Sequence, residues 1–575
     1  MITRSFITAI LTLIFLLPVH AQEKKDQSAL KREVTLYNPY KPSLNDARKK
    51  SFLPEIADSS KVTKKFSYNV VSGPYSPEYT ISPIKSAALL SDPLPKLYKG
   101  YVKAGLGNNT TPLGELSIAS TRSKKGAAGF YARHYSSNGF VPLANRQRVF
   151  AGFMDNDADL YGKKFFRKSV LDITALYKQR TRYAYGYDTD IAEMFYDPGK
   201  KNVRTGYYDA GAAASYSSLN LDSTSFSYDF DLAYDYFNNT DDVFYHHLGF
   251  GGSMSKLYKG FYSGADIKLD HYKFTQSLGL DPKYIFSVNP YVRKNTGNWN
   301  FNLGVSLVVD RNLEEAAKFH FYPDVKFGFS VVPEYLRFFT SLTGRLEKND
   351  PVNVFDENPY IINDGSMFRV PNTSYPLIVS AGLKGNNGLE GNYLVSVSYS
   401  VINDMLLYSN IVFPDTASMI ERGNHFIVLP DDAELLNIHG EMNGAFTKKM
   451  TFSAEGNYYK YTLSANEYAW NKPDWDGKIG LYYNLRNKII AGTQVTLIGT
   501  RRFLVSQSPT GWTTLTPHVI TNPAYVNLGF SAEYRYSKIL SVWFRINNIS
   551  GKRYYEWAFY PSQMFNFMLG FSYSL

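Results

Sequence analysis

The sequence predicts an all-β protein, a transmembrane antiparallel β-barrel of about 22 strands, within a range of roughly 16 to 24. Three observations lead to this fold class. Large apolar residues occupy every second position of the last segment of the chain. The same period of two, which is that of a β-strand, recurs from Tyr98 onwards. Short turns also alternate with longer, aperiodic loops in this region, an asymmetry that is typical of membrane barrels. The predicted short turns are 122–125, 167–168, 295–298, 388–391, 447–450, 485–488 and 537–538, and the longer loops include 188–202, 348–375, 411–432 and 504–523.

The N-terminus is typical of a secretory signal peptide, residues 1–21. Arg4 precedes an apolar run over residues 6–17, and a small-x-small pattern ends at Ala21. This pattern predicts cleavage between Ala21 and Gln22. The apolar run is shorter than the about 20 residues that a membrane-spanning helix needs. We therefore expect an exported protein.

The amino-acid composition further restricts the class of protein. The chain has no cysteine, which excludes a lipid anchor on an N-terminal Cys, disulfide bonds and thiolate metal sites. Aromatic residues make up 16% of the chain although its mean hydropathy is −0.29. Aromatic girdles around a polar lumen produce this combination. The net charge of +11 is scattered, so we expect contact with outer-membrane lipid and lipopolysaccharide and not with nucleic acid.

Residues 22–97 form a basic segment that is repeatedly interrupted by proline. Proline excludes long helices and central strands, so we expect an extended arm in the periplasm or in the lumen. Residues 98–575 then form the barrel. The prolines of the arm are Pro39, Pro42, Pro54, Pro74, Pro77, Pro83, Pro93 and Pro95.

The segment 225–236 shows the alternation most clearly. Its large apolar side chains fall on one face, and its small or acidic side chains fall on the other. Carboxylates exclude lipid from the second face and suit a water-filled or polar lumen. The charged side chains predicted to face this lumen are Asp155, Asp157, Asp159, Lys178, Arg180, Arg182, Asp229, Asp231 and Asp235.

Three of these carboxylates, Asp155, Asp157 and Asp159, lie two residues apart on one strand. They suggest either a calcium site or an ionic ladder. The glycine and glutamate of a helix-loop-helix calcium loop are missing. With a two-residue turn after Phe166, Asp155 faces Arg180 across a hairpin. Asp157 then faces Lys178, and opposite charges pair. We therefore expect an ionic ladder and no metal site.

The segment 564–575 is predicted to be a strand with its apolar face in lipid. We also expect it to be the insertion signal that the barrel assembly machinery recognises. The residues of its apolar face are Phe565, Phe567, Leu569, Phe571, Tyr573 and Leu575.

The region 544–575 resembles the C-terminal end of TonB-dependent receptors. In that family an Asn-containing strand leads to a Lys/Arg-Tyr-Tyr stretch, a Pro-containing loop and a final aromatic strand. The resemblance implies a 22-strand barrel in the outer membrane of a Gram-negative bacterium, transport across that membrane, and TonB as a partner. The matching residues are Asn547, Asn548, Lys552, Arg553, Tyr554, Tyr555, Pro561, Phe571 and Tyr573.

Two features depart from the family. Leu575 stands where Phe or Trp is usual. The segment before the barrel is short and proline-broken, whereas the family fills its barrel with a folded plug, so we expect a barrel without that plug. A candidate TonB-contacting box, for which an ordinary extended segment is the alternative, is Glu33, Val34, Thr35, Leu36 and Tyr37.

The sequence gives no sign of catalysis or of a cofactor. The histidines show no ligand spacing, and neither a nucleophile elbow nor a phosphate loop is present. Two functions remain, transport across the outer membrane and a non-transporting barrel that is a scaffold or accessory subunit. A wide unguarded barrel would harm the membrane. We therefore expect that loops and the arm fill the lumen or that a partner closes it.

Overall fold

The computed structural model describes residues 97–121, 123–189, 199–219, 225–275, 279–312, 316–362, 369–412, 422–507 and 516–575. The predicted signal peptide with its cleavage site at Ala21 and Gln22, the candidate TonB box and the arm up to residue 96 lie outside the described residues.

The first strands of the described chain are β1 Gly100–Gly107, β2 Thr111–Ala119, β3 Gly126–Ser137, β4 Phe140–Pro142, β5 Arg148–Phe150, β6 Phe153–Phe165, β7 Ser169–Tyr183, β8 Arg204–Ser218, β9 Ser227–Asn239, β10 Phe244–Tyr258, β11 Phe261–Phe274, β12 Lys283–Asn295, β13 Trp299–Arg311, β14 Lys318–Val332 and β15 Leu336–Glu347. They are followed by helix α1 Pro351–Glu357, β16 Thr373–Asn386, β17 Asn392–Val412, β18 Arg422–Thr447, β19 Met450–Leu463, β20 Trp475–Leu485, β21 Ile489–Ile498, β22 Arg501–Gln507, β23 Thr516–Asn522, β24 Tyr525–Arg535, β25 Leu540–Asn547, β26 Tyr555–Trp557, β27 Tyr560–Pro561 and β28 Asn566–Ser574.

Twenty-two of these strands close into one antiparallel ring. Successive strands of the ring pair with each other, and β28 pairs with β1 to close it. The hairpins β4–β5, β22–β23 and β26–β27 lie within loops. In the closing pair Leu106 faces Leu569, and the backbone N–H of Lys99 donates to the carbonyl of Leu575 (2.9 Å). The predicted fold class is confirmed.

The outward face of the ring is apolar. In β28 the alternate side chains from Phe567 to Tyr573 are between 37% and 54% exposed, whereas Met568, which faces inwards, is buried. The same pattern of exposed Phe, Leu, Val and Tyr continues around the ring. Such a surface is unfavourable in water and favourable in lipid. No helix among the described residues has the length and apolarity needed to cross a membrane.

The two ends of the ring differ in their connections. The turns predicted at 167–168, 295–298, 388–391, 447–450, 485–488 and 537–538 all join neighbouring strands at the end where Lys99 and Leu575 lie, which we call the short-turn end. The longest connections between strands of the ring, such as 138–152, 464–474 and 548–565, lie at the opposite, long-loop end. This asymmetry was predicted and is confirmed.

Three loops that were predicted to be aperiodic are more regular than expected. The loop 348–375 contains α1, the loop 411–432 contains the ends of β17 and β18, and the loop 504–523 contains most of the β22–β23 hairpin. Residues 405–412 of β17 are buried on both faces, and β22 pairs with this part of β17 in parallel. A strand that is buried on both faces has no alternation of apolar and polar residues, so the sequence pattern did not reveal this part of β17.

Candidate functional site

The predicted lumen charges of β6 and β7 form a ladder along the inner wall. The register is the expected one, with Asp155 facing Arg180 and Asp157 facing Lys178. The shortest ion pairs nevertheless run diagonally, whereas Arg180 Nε lies 3.9 Å from Asp155 Oδ1 directly opposite. Arg182 Nη1 lies 2.5 Å from Asp155 Oδ1, and Arg180 Nη2 lies 2.6 Å from Asp157 Oδ1. Each guanidinium therefore reaches a carboxylate two residues along the neighbouring strand, a distance that a long side chain can span.

The ladder continues across the neighbouring strands. Arg133 Nη1 lies 3.6 Å from Asp157 Oδ2, and Arg133 Nε lies 3.9 Å from Glu115 Oε1. Lys103 Nζ in β1 lies 4.0 Å from Glu115 Oε2. These pairs join side chains of β1, β2, β3, β6 and β7. The ion pairs therefore connect five neighbouring strands in one sector of the wall.

Other members of the predicted set lie outside this ladder. Lys178 forms an ion pair with Asp356 of α1. Asp229 accepts a hydrogen bond from a serine of β8 (3.0 Å). Asp159 and Asp231 are exposed to the lumen, and neither forms an ion pair with another described residue.

Asp235 belongs to a second cluster of charges nearer the long-loop end. Its Oδ2 lies 2.9 Å from Nδ1 of His247, whose Nε2 lies 2.9 Å from Oδ1 of Asp270. Lys348, which follows β15, donates from Nζ to the same oxygen of Asp270 (3.0 Å). This cluster therefore ties the start of a long loop to the wall.

At the long-loop end of the lumen lies a layer that we call the cap, formed by residues 348–362, 405–412, 501–507 and 554–561. A hydrophobic core joins these segments to β8–β11. The strands β12–β16 separate β11 from β17, which carries residues 405–412, so the core spans the lumen between distant parts of the wall. Large buried members of this core are Phe237, Tyr245, Phe355, Tyr408, Phe426 and Tyr560.

One side of α1 is bound to the wall through Asp356. Its carboxylate forms an ion pair with Lys178 of β7 and accepts a hydrogen bond from Tyr207 Oη of β8 (2.8 Å). The ring of Tyr207 packs edge-to-face on Phe355, with centroids 5.0 Å apart. Charged hydrogen bonds and apolar packing therefore both attach this side of α1 to β7 and β8.

The next residue, Glu357, binds a different part of the wall. Its Oε2 accepts a hydrogen bond from Tyr408 Oη of β17 (2.7 Å), and its Oε1 accepts one from Lys472 Nζ in the loop after β19 (2.5 Å). Adjacent carboxylates thus connect α1 to both flanks of the lumen.

The start of α1 is set by its sequence. Asp350 is the N-cap, and its Oδ1 accepts a hydrogen bond from the backbone N–H of Asn353 (2.9 Å). Pro351 follows at the first helical position, which its fixed φ favours. Burial raises the pKa of Asp350 above its ordinary value, against the opposing effect of the Asn353 hydrogen bond and the nearby Lys348.

The closing loop of the barrel completes the cap with aromatic rings. Tyr360 and Tyr560 stack with centroids 3.8 Å apart, and Tyr185 packs on Tyr560 at 5.0 Å. Trp557 packs on Phe426 at 5.3 Å. Burial raises the pKa of Tyr185, Tyr360 and Tyr560, so their phenols remain neutral and suit an apolar layer.

The short-turn half of the lumen contains a polar cavity of about 1070 Å³, which we call the vestibule. Serines such as Ser227 and Ser253 line it, together with charged groups that include Asp266, Arg293 and Lys326. The lining is hydroxyl-rich and carries both signs of charge. The lumen therefore combines a polar vestibule at one end with an apolar cap at the other.

Sequence reasoning missed the two carboxylates that anchor α1. Asp356 and Glu357 lie in a segment without periodicity, and they contact residues more than a hundred positions away. The available signal was the pair Asp350-Pro351, which is typical of an N-cap followed by a first helical residue. It predicts a short helix but not its partners.

No family model matches the sequence, and no curated protein matches it either. Solved structures of similar fold include the FrpB iron transporter from Neisseria meningitidis (11% identity, TM-score 0.62), with 84% of this chain and 82% of that chain covered. The ferripyoverdine receptor of the outer membrane of Pseudomonas aeruginosa has 12% identity and a TM-score of 0.60, with 84% and 72% covered. The copper transporter OprC has 12% identity and a TM-score of 0.58, with 83% and 80% covered.

At such low identity these likenesses establish the fold. The chain is a 22-strand β-barrel with the fold of outer-membrane transporters and receptors, and its apolar exterior and this fold indicate the outer membrane. The similar structures named here are described as transporters and a receptor, none of them as an enzyme.

Proposed function

We propose that the protein transports a solute across the outer membrane and that the cap, in place of a separate plug domain, closes its lumen. The observation that carries this proposal is the polar vestibule beneath an apolar cap. A ring of 22 strands is wide enough for an aqueous path. A polar wall leads solutes along that path, and the cap prevents a permanent leak.

Opening requires α1 to leave the wall. Its contacts consist of a few charged hydrogen bonds around Asp356 and Glu357 and the apolar packing of Phe355. Each hydrogen bond to a charged group contributes about 1.5–3 kcal/mol, so an opposing ligand or partner could offset them together. The proposed transport is non-catalytic and needs no cofactor.

The proposed partners follow from the ends of the barrel. The barrel assembly machinery inserts the chain by recognising β28. Lipopolysaccharide contacts the rim at the long-loop end. TonB engagement through Glu33–Tyr37 stays a prediction, because that segment lies outside the described residues.

A second function is favoured by the construction of the cap. The part of β17 that enters the cap is hydrogen-bonded to β18 on one side and to β22 on the other. A layer continuous with the wall is harder to displace than a free loop. On this alternative the barrel is a permanently closed scaffold or accessory subunit of an outer-membrane complex.

Solute efflux from liposomes separates the two functions. The wild type and the double variant Asp356→Ala/Glu357→Ala are reconstituted with neutral sugars of graded size inside the vesicles. Transport with a displaceable cap predicts that the wild type retains the sugars and that the variant releases the smaller ones. Asp281→Ala is the matched control, because it removes an exposed carboxylate that pairs with Arg311 at the same end.

A folded double variant that retains every sugar would reject the transport proposal and favour the scaffold. Heat-modifiable migration on a gel establishes that the variant is folded. Release of sugars by the wild type would reject closure by the cap.

A further inference from the structure

The rim at the short-turn end carries an excess of positive charge. We define the basic collar as the turns Lys124–Lys125, Arg167–Lys168 and Lys448–Lys449 together with Lys259, Lys488 and Lys538. The described residues of the short turns contain only two carboxylates, at positions 334 and 390. Among the described residues, the short turns therefore form a region of excess positive charge.

The collar is not neutralised by the part of the chain that the structure describes. None of its residues forms an ion pair with another described residue. By contrast, two cations on the inner wall are paired: Lys163 lies 3.0 Å from Asp172 and Arg535 lies 3.0 Å from Glu533. The cations of the collar lie on exposed turns, where an external anion can reach them.

Aromatic rings place the collar at the level of lipid headgroups. Lys259 Nζ lies 5.2 Å from the ring centre of Tyr258, which is 62% exposed at the end of β10. Lys488 Nζ lies 5.9 Å from the ring centre of Tyr534. Tyrosines at the edge of an apolar belt mark the membrane–water interface. The lysine ammonium groups therefore lie beside the bilayer surface.

We propose that the basic collar binds anionic phospholipid headgroups of the periplasmic leaflet. Short turns of outer-membrane barrels face the periplasm, so the lipids at this rim are phospholipids. Lysine and arginine near a bilayer attract anionic headgroups over about a Debye length. The aromatic rings at the same height favour a lipid over an acidic protein, because a lipid contacts ring and cation together.

Lipid retention in nanodiscs tests this proposal. The full chain is placed in discs of phosphatidylcholine and phosphatidylglycerol, and the lipids retained after partial delipidation are measured by native mass spectrometry. The collar variant carries Lys124→Gln, Lys125→Gln, Lys448→Gln and Lys449→Gln. A control variant with the same charge change at the long-loop end carries Lys200→Gln, Lys201→Gln, Lys273→Gln and Lys552→Gln.

The wild type and the control variant are expected to retain phosphatidylglycerol several-fold over phosphatidylcholine, and the collar variant is expected to lose at least half of this preference. Added salt should also lower the preference of the wild type for phosphatidylglycerol. This test does not depend on whether a variant folds. Equal retention of both lipids by the wild type, or an equal loss in both variants, would overturn the proposal. Equally tight binding of soluble polyglutamate in detergent would overturn it in favour of an acidic protein.

Discussion

Asp356 and Glu357 are adjacent in sequence, yet their carboxylates bind opposite flanks of the lumen. Asp356 contacts Lys178 and Tyr207 on β7 and β8, whereas Glu357 contacts Tyr408 on β17. Neighbouring helical side chains diverge by about 100° around the helix axis, which suits contacts in two directions. α1 is therefore a strut that connects two parts of the wall.

The first prediction concerns this strut. Glu357→Gln replaces charged hydrogen bonds by neutral ones and should weaken the β17 side by about 1–2 kcal/mol. We expect faster hydrogen exchange in residues 348–362, with exchange in the strands of the ring unchanged. Asp281→Asn is the control, because its partner Arg311 is exposed. Exchange as slow as in the wild type would show that apolar packing alone holds α1.

The second prediction concerns the ladder on β6 and β7. Arg180→Glu places a carboxylate beside Asp157, its 2.6 Å partner, and beside Asp155, and should destabilise the barrel by about 1–4 kcal/mol because the site is half-buried. The swap Arg180→Glu/Asp157→Arg should recover part of this loss. Melting temperatures of the variants in detergent measure both effects. An unchanged melting temperature in Arg180→Glu would contradict bracing. It would indicate that these charges line an open path for ions.

The third prediction is a pH dependence at Asp350. Its folded pKa is raised by burial, so its protonated form favours folding. That contribution is complete below the unfolded pKa of about 3.9 and is lost as the pH rises through the raised folded value. Asp350→Asn keeps the N-cap without the charge. The variant should melt above the wild type at about pH 7.5, and the difference should vanish towards about pH 4.

A difference in melting temperature that does not depend on pH would contradict this assignment. The control is Asp281→Asn, which removes an exposed carboxylate at the same end of the barrel. Because it removes one partner of an ion pair, it should not melt above the wild type at about pH 7.5.

The fourth prediction concerns insertion. Phe571 faces outwards in β28 and is 48% exposed, so Phe571→Asp places a carboxylate in lipid at a cost of up to a few kcal/mol. We expect the variant to fail in assembly and to lose heat-modifiable migration. Ser574→Asp, on the inward face of the same strand, should assemble. Normal migration of Phe571→Asp would reject the orientation of this strand in the membrane.

The sequence predicted those features that repeat along a strand. Phe567, Leu569 and Phe571 alternate with small residues because lipid contacts one face and the lumen the other. The register between Asp155 and Arg180 followed from a two-residue turn, because such a turn fixes every later pair of the hairpin. Local rules were sufficient for both.

The cap could not be predicted in the same way. Residues 405–412 are buried on both faces and show no period, and α1 is too short for a helical pattern. The partners of Lys178 and Glu357 depend on how long loops fold across the ring. Such contacts join distant parts of the chain, and no local pattern encodes them.

Single-channel conductance of the purified wild-type protein in planar bilayers tests the central claim most directly. If the cap joins the flanks of the lumen through α1, the wild type should show no persistent open current at low voltage. Heat-modifiable migration of the same preparation should show that the barrel is folded. The missing current is then due to a closed lumen and not to unfolded protein. A stable open current from every inserted molecule, of the size that a wide 22-strand pore would carry, would contradict closure by the cap.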